Sequence, residues 1–294
     1  MSIKKGIYAA AMSIFNADLS LDVDSTTQHA EKLIRNGCHA VAIFGSTGQG
    51  QLISTYEKKD LITKLGSSKL KDHFIIGTGS NSLNENISIM KHCIKNGLNR
   101  FLVMPPAYYK YGDDGAYAFF SNLIQKIPEV EIILYNFEKL SGYKFTTQVI
   151  EKLVKDFPSQ ILGVKDSTYN LYETLKIPNF LVFPGSETKL LKGLEVGCSG
   201  IISAICNVTA PLARKVYDDF YNKKKQNFND KLCAVRSTFD SYNLISGLHS
   251  FMSEENEKFK RILPPLNLLT EKEKTQLMLK LKELEFFPER NIVA

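Results

Sequence analysis

Short apolar runs alternate with amphipathic stretches along the whole 294-residue chain. The runs lie near residues 6–12, 39–44, 73–77, 100–104, 131–135, 161–165, 180–184 and 199–205. They are apolar on both faces, as strands are in a parallel sheet covered by helices. The stretches between them have the helical period. Residues 24–36 open on Asp24-Ser25 as a cap and stop at Gly37. Residues 54–66 open on Ser54 with Glu57 three positions later, a capping box. Residues 84–96 stop at Gly97. Eight strand–helix repeats predict a (β/α)8 barrel; a doubly wound open sheet is the alternative, and the count of eight decides for the barrel.

An eighth helix is predicted near 209–223. Beyond it the segments Lys231 to Leu244 and Thr270 to Leu284 carry helical patterns and no strand signal. The expected organisation is a catalytic barrel over 1–224 and a C-terminal helical extension over 225–294 packed on it. No low-complexity linker separates the two.

Composition narrows the class. The chain is 44% hydrophobic and 23% charged, ordinary for a soluble globular protein. The net charge of +6 is spread along helical stretches such as Glu57-Lys58-Lys59 and Glu271-Lys272-Glu273-Lys274. That reads as solvated helix faces, not a nucleic-acid patch. The one dense cluster, Lys223-Lys224-Lys225, is placed at a helix end, where cations suit the dipole. No run of 18 apolar residues exists, so no transmembrane helix or membrane partner is expected. The N-terminus lacks a signal-peptide pattern. Five cysteines without a C-x-x-C pair argue against a disulfide framework and a zinc site, and fit a reducing cytoplasm.

Three of the runs end on reactive groups. Ile161-Leu162-Gly163-Val164 runs into Lys165, Glu131 to Leu134 into Tyr135, and Ala40 to Phe44 into Gly45-Ser46-Thr47-Gly48. The C-terminal ends of barrel strands are where such folds keep their active sites. A lysine inside a narrow barrel is desolvated, which favours the nucleophilic amine; the plain alternative is a strand-end lysine reaching solvent. Alternation should point Asp166 the other way. Tyr135 is either a packed core tyrosine or a proton shuttle. In the loop Gly45 to Gly50, glycines, exposed amides and two hydroxyls suit a carboxylate or phosphate, although a plain turn would read the same way. The loop lacks the Walker ending. Gly77-Thr78-Gly79 is half a dinucleotide fingerprint with Ser82 at the third position, and is set aside. Pro105 to Tyr111 is a rigid aromatic loop suited to surface packing, to an interface, or to supplying a second phenol.

Together these segments resemble the pyruvate-dependent class I aldolases, the family of dihydrodipicolinate synthase, N-acetylneuraminate lyase and 2-keto-3-deoxygluconate aldolase. The resemblance runs from about residue 6 to about 210. Gly45-Ser46-Thr47-Gly48 is similar to the pyruvate-carboxylate loop, Tyr135-Asn136-Phe137-Glu138-Lys139-Leu140-Ser141-Gly142 to the tyrosine motif, and Gly163-Val164-Lys165-Asp166-Ser167 to the Schiff-base motif. The resemblance implies that Lys165 condenses with the pyruvate carbonyl and that Tyr135 relays protons. It implies that Ser46 and Thr47 bind the carboxylate, with Ser46 joining the relay, and that Gly45 and Gly48 shape the loop. Gly185 and Ile202 match positions whose backbone lines the pyruvate pocket. Tyr109, or its neighbour Tyr108, resembles a tyrosine that reaches an adjacent subunit's site, implying a homotetramer built as a dimer of dimers. No metal or other cofactor is implied; the partners are pyruvate and a small aldehyde or keto acid.

The departures bear on the second substrate. Leu140 stands where the synthase subgroup has a carboxylate-binding arginine. Lys110 or Lys139 is the nearest alternative cation. Glu138 replaces a proline, predicting a looser loop. Glu138 and Lys139 are expected to meet the second substrate. Glu138, Ser141 and Glu187 are expected as hydrogen-bonding groups for a polyhydroxylated aldehyde. The implied activity is aldol cleavage or condensation of a 2-keto-3-deoxy sugar acid or an N-acetylneuraminate-like substrate. The alternatives are condensation with aspartate semialdehyde in lysine biosynthesis, and a degenerate barrel acting as a binding protein.

Overall fold

The computed structural model describes residues 3–287, and in it every apolar run forms a strand. These are β1 Gly6–Ala10, β2 Ala40–Ile43, β3 Phe74–Gly77, β4 Arg100–Val103, β5 Glu131–Asn136, β6 Ile161–Asp166, β7 Leu181–Pro184 and β8 Gly200–Ser203. Their order is β7-β6-β5-β4-β3-β2-β1-β8, all ladders parallel. The ring closes between β7 and β8, where Ser199 N–H donates to Val182 O at 2.8 Å and Val182 N–H to Ser199 Oγ at 3.3 Å. The (β/α)8 barrel is the observed architecture. Tyr8, Ile75, Leu102, Ile133, Phe183 and Ile202 fill its interior. Alternate strand residues such as Val41, Ile76, Phe101 and Leu134 pack outward against the helices.

Helices α1 Val23–Arg35, α2 Thr55–Gly66 and α3 Leu83–Lys95 lie where the periodicity puts them. The cap of α1 differs: Asp22, not Asp24-Ser25, accepts from Ser25 N–H, and Asp24 sits in the first turn. Ser54 and Glu57 form the expected capping box on α2. Lys58 corrects the reading of a solvated face. It shares the buried stripe of α2 with Leu61, Ile62 and Leu65. Its Nζ donates to Thr78 O and Gly79 O, both at 3.0 Å, and burial lowers its pKa to about 8. Gly77-Thr78-Gly79 thus serves as a backbone anchor.

After α4 Asp113–Lys126, α5 Glu138–Ser141, α6 Thr147–Asp156, α7 Leu190–Glu195 and α8 Cys206–Tyr221 come α9 Asn229–Asp240, α10 Leu244–Met252 and α11 Glu271–Glu283. The sequence pattern foresees α9 and α11. It misses α10, whose residues are mostly buried, so that no polar face marks the period. Phe239, Leu248, Phe251 and Leu277 of these helices share one core with Met12, Ile14 and Ile205 of the barrel. Residues 288–294 of the expected extension lie outside the described residues. Among the described residues no helix is long and apolar enough to cross a membrane, and the five cysteines are unpaired thiols.

β6 holds one residue more than its partner. Ile132 pairs with Ile161, but Ile133 pairs with Gly163, which leaves Leu162 as a bulge. Ile161 and Val164 both face the outer core. Three residues apart on a regular strand they would face opposite ways. The bulge therefore reverses the alternation and turns Gly163 and Lys165 inward.

Two predictions follow from this packing. A methyl group at Gly163 would lie 2.5 Å from Leu181 O across the β6–β7 ladder. Gly163→Ala is expected to lose about 2–3 kcal/mol of stability, the scale of overpacking in a tight core, read as a lower urea midpoint. An unchanged midpoint would show that the ladder yields at no cost.

The second concerns His249. Its Nδ1 lies 2.9 Å from Phe259 O and so must donate there; Nε2 then accepts from Gln49 Nε2 at 3.1 Å. Burial holds its pKa down at about 4. The unfolded chain, with an ordinary histidine, binds the proton more readily, so this contribution is intact above about pH 6.5 and is lost as pH falls through 4. Linkage puts it at roughly 3 kcal/mol. His249→Asn should be less stable at pH 7 yet decline less steeply between pH 6.5 and 4 in thermal unfolding. Parallel declines would refute the assignment.

Candidate active site

The inward turn of Lys165 places it beside Tyr135, its ladder partner on β5, and beside Phe183 on β7. Lys165 is 4% exposed and Tyr135 3%. The lysine Nζ lies 4.2 Å from the centroid of the Tyr135 ring, within cation–π range. Lys165 therefore does not reach solvent as a strand-end lysine would. Asp166 points outward, as alternation predicts. It accepts from Asn136 Nδ2 at 2.8 Å and from the amides of Tyr169, Leu171 and Tyr172 at 2.8–3.0 Å. It holds the loop after β6 and takes no part in the cavity.

The loop after β2 is strained. Phe44 and Gln49 both have left-handed backbones, with φ of 57° and 54°. Gly50 is required beneath it, since a Cβ there would lie 2.1 Å from Phe44 O. Buried Gln49 anchors the loop to the C-terminal helices, bonding His249 and accepting from Leu263 N–H at 2.8 Å. Such strain persists only where surroundings over-determine it, and it clusters at functional sites. The loop brings Ser46 Oγ to 3.0 Å from Tyr135 Oη.

These groups line one cavity of about 560 Å³ at the C-terminal end of the barrel. Lys165, Tyr135, Ser46, Thr47, Gly185 and Glu138 are all in its wall. Other expected residues are not. Gly45 and Leu140 line an adjoining hollow of about 190 Å³ that shares Ser46 and Tyr135 with the cavity. Gly48 packs away on Ser13, whose Oγ donates to Gly48 O at 2.7 Å. Ile202 is fully buried in the barrel interior. Tyr108 and Tyr109 are 89% and 76% exposed, and neither lines either hollow. Ser141 is buried, its Oγ donating to Tyr143 O at 2.9 Å. The loop at Glu138 is tied rather than loosened, because Glu138 N–H donates to Thr168 Oγ1 at 2.9 Å, a bond proline could not make.

Glu187 is also corrected: it is fully buried and cannot meet a substrate directly. It accepts from Ser203 Oγ at 2.6 Å and from Arg236 Nη1 at 2.9 Å. Arg236, with Asp240 and Leu244, brings the C-terminal extension into the cavity wall. These residues were missed. The available signal was an arginine on the buried stripe of α9, between Leu232, Val235 and Phe239. Lys139 and Tyr169 complete the polar rim; Tyr169 has a left-handed backbone, φ 63°.

Known proteins resemble this chain in sequence and fold. A DapA-like lyase of Chloroflexus aurantiacus is 28% identical over 228 residues, 75% of this chain and 76% of that protein. A 4-hydroxy-tetrahydrodipicolinate synthase of a Hydrogenobaculum strain is 32% identical over 181 residues, 60% of this chain and 61% of that one. The crystal structure of YagE, an E. coli K12 prophage protein in complex with pyruvate, superposes with a TM-score of 0.83 at 23% identity, covering 97% of this chain and 100% of that one. The profile of the dihydrodipicolinate synthetase family matches residues 4–284. The chain thus belongs to the dihydrodipicolinate synthetase family and is an enzyme of the lyase class.

Proposed function

We propose that the enzyme cleaves or forms a carbon–carbon bond through a Schiff base between Lys165 and pyruvate. The observation that carries this is the buried Lys165 amine, 4.2 Å from the centroid of the Tyr135 ring, with Tyr135 Oη 3.0 Å from Ser46 Oγ in the same cavity. In the condensation direction the amine adds to the C2 carbonyl of pyruvate and water leaves, giving an iminium. A C3 proton departs and the electron pair forms an enamine. Its C3 attacks the carbonyl carbon of an aldehyde, whose oxygen takes up a proton. Water then hydrolyses the iminium, freeing the product and the amine. Cleavage is the reverse. Tyr135 moves the protons with Ser46 as the next link. Ser46 and Thr47 hold the carboxylate; Thr47 lines the cavity, and among the described residues its amide has no partner. The pyruvate in the related YagE structure supports this reading.

The second substrate is proposed to be the aldehyde half of a 2-keto-3-deoxy sugar acid or an N-acetylneuraminate-like molecule, with Glu138 on the approach. Leu140 offers no donor for a second carboxylate and lies in the adjoining hollow, which disfavours aspartate semialdehyde. The exposed Tyr108 and Tyr109 support a homo-oligomer, proposed as a dimer of dimers in which Tyr109 serves a neighbouring site. The unpaired thiols fit a cytoplasmic setting.

Borohydride reduction in the presence of pyruvate should add one reduced adduct, mapped by mass spectrometry to Lys165. Lys165→Ala and Lys165→Arg should both lose the adduct and turnover, since a guanidinium stays protonated and cannot attack. An adduct on another lysine would sink the assignment.

Tyr135→Phe removes one hydroxyl and little volume. It should leave pyruvate binding intact and slow kcat by about a hundredfold or more, the scale of a lost acid–base group. A near-normal kcat would return Tyr135 to plain core packing.

A further inference from the structure

Arg236 occupies a position on α9 that its neighbours Leu232, Val235 and Phe239 mark as apolar. It is 7% exposed. Nη1 donates to Glu187 Oε2 at 2.9 Å, Ser203 Oγ at 3.0 Å and Gly185 O at 3.4 Å, and Nε to Asp240 Oδ1 at 2.9 Å. Among the described residues Nη2 has no hydrogen-bond partner, and the side chain borders the cavity. A guanidinium nitrogen with two donors is thus left without a protein partner in a side chain that lines the cavity with Gly185. That nitrogen is not among the buried unpartnered atoms, so cavity water reaches it, and a hydroxyl of an arriving ligand can take the water's place.

The charge of that wall says which oxygen. Burial works against the guanidinium, but Glu187 and Asp240 more than offset it and keep Arg236 charged. One positive charge faces two carboxylates. The other charged pair on the rim, Glu138 and Lys139, is balanced. Lys165, the remaining cation of the wall, is engaged by pyruvate in the aldolase reading, so a second carboxylate or a phosphate arriving at Arg236 would meet one guanidinium already paired with two carboxylates. A hydroxyl group meets no such penalty. It can donate to Asp240, which is 46% exposed at its side chain, while its neighbour accepts from Arg236. Two planar groups side by side match two adjacent hydroxyls.

Resting on the aldolase reading above, we propose that Arg236 and Asp240 of the C-terminal extension recognise the hydroxyls of the second substrate. That substrate is an uncharged, polyhydroxylated aldehyde, not one bearing a further carboxylate or phosphate.

The test is condensation of pyruvate with four aldehydes: glyceraldehyde, propanal, aspartate semialdehyde and glyceraldehyde 3-phosphate. Wild type, Asp240→Ala and Arg236→Lys are compared, each first subjected to borohydride trapping to show that the lysine site is assembled. Wild type should favour glyceraldehyde over propanal by about tenfold or more in kcat/KM, the scale of one or two hydrogen bonds. In Asp240→Ala the preference should shrink to about twofold, mainly through the KM for glyceraldehyde. Arg236→Lys keeps the charge and loses the fork, and should lower the same ratio. An adduct with an unmoved preference in Asp240→Ala would overturn the wall while leaving the aldolase reading standing. A wild-type preference for either anionic aldehyde would overturn its neutrality. Failure of the wild type to form any adduct would overturn the aldolase reading, and this one with it.

Discussion

The site depends on one extra residue in β6. Leu162 bulges against β5, and everything beyond it on that strand changes sides. Val164 then packs outward and Lys165 inward, level with Tyr135 on one neighbour and Phe183 on the other. Without the bulge a lysine would lie among the outer helices and Val164 would fill the barrel. The arrangement has a steric condition, because the strand can sit this close to β7 only where position 163 lacks a side chain. An amine carried into a barrel interior loses its hydration. The ring of Tyr135 is the nearest compensation, and the same ring carries the hydroxyl that meets Ser46. Lys165, Tyr135 and the hydroxyl loop are thus linked by a single strand register.

The C-terminal helices complete that arrangement. Gln49 bends the β2 loop through a left-handed residue, and it is held there by His249 and the Leu263 amide, both beyond the barrel. Arg236 enters from α9 and bonds the Gly185 carbonyl in the cavity wall. Phe239, Leu248 and Phe251 share one buried core with Met12 and Ile14, which packs the extension on the barrel beside these contacts. The extension consequently sets the shape of the loop on one side of the cavity and the charge of the wall on the other.

Much of this was legible in the chain. Eight runs apolar on both faces leave little room for another architecture, and reactive residues at strand ends mark the cavity mouth. What remained hidden was side-chain direction. Ile161 and Lys165 are four apart, so simple alternation puts them on one face; only the pairing with β5 reveals the bulge. Lys58 and Arg236 sit on apolar helical stripes, but composition treats a lysine or arginine as solvated, so the stripe went unheeded. Glu187 carries the right chemistry for a substrate contact and is spent on Arg236, a partner 49 residues away that no local pattern connects to it. The αL turn at Gly142 and the Ser141 bonds show the same limit: hydroxyls near a site are as readily consumed by the backbone as offered to a ligand.

The two ends of the cavity are built on different physics. At the loop end, Ser46, Thr47 and the unpartnered Thr47 amide offer donors with no acid among them, which suits a carboxylate. At the far end the donor supplied by the C-terminal extension is Arg236, and its charge is already matched by Glu187 and Asp240. Lys165 stands between them. In the proposed reaction a small keto acid binds at the loop end, with its carboxylate on those donors and its carbonyl toward the amine. The second substrate proposed for it enters past Arg236 and Asp240, where a hydroxyl finds both a donor and an acceptor. The polarity of the two ends thus gives the cavity a direction, and it follows from where one ion pair is buried.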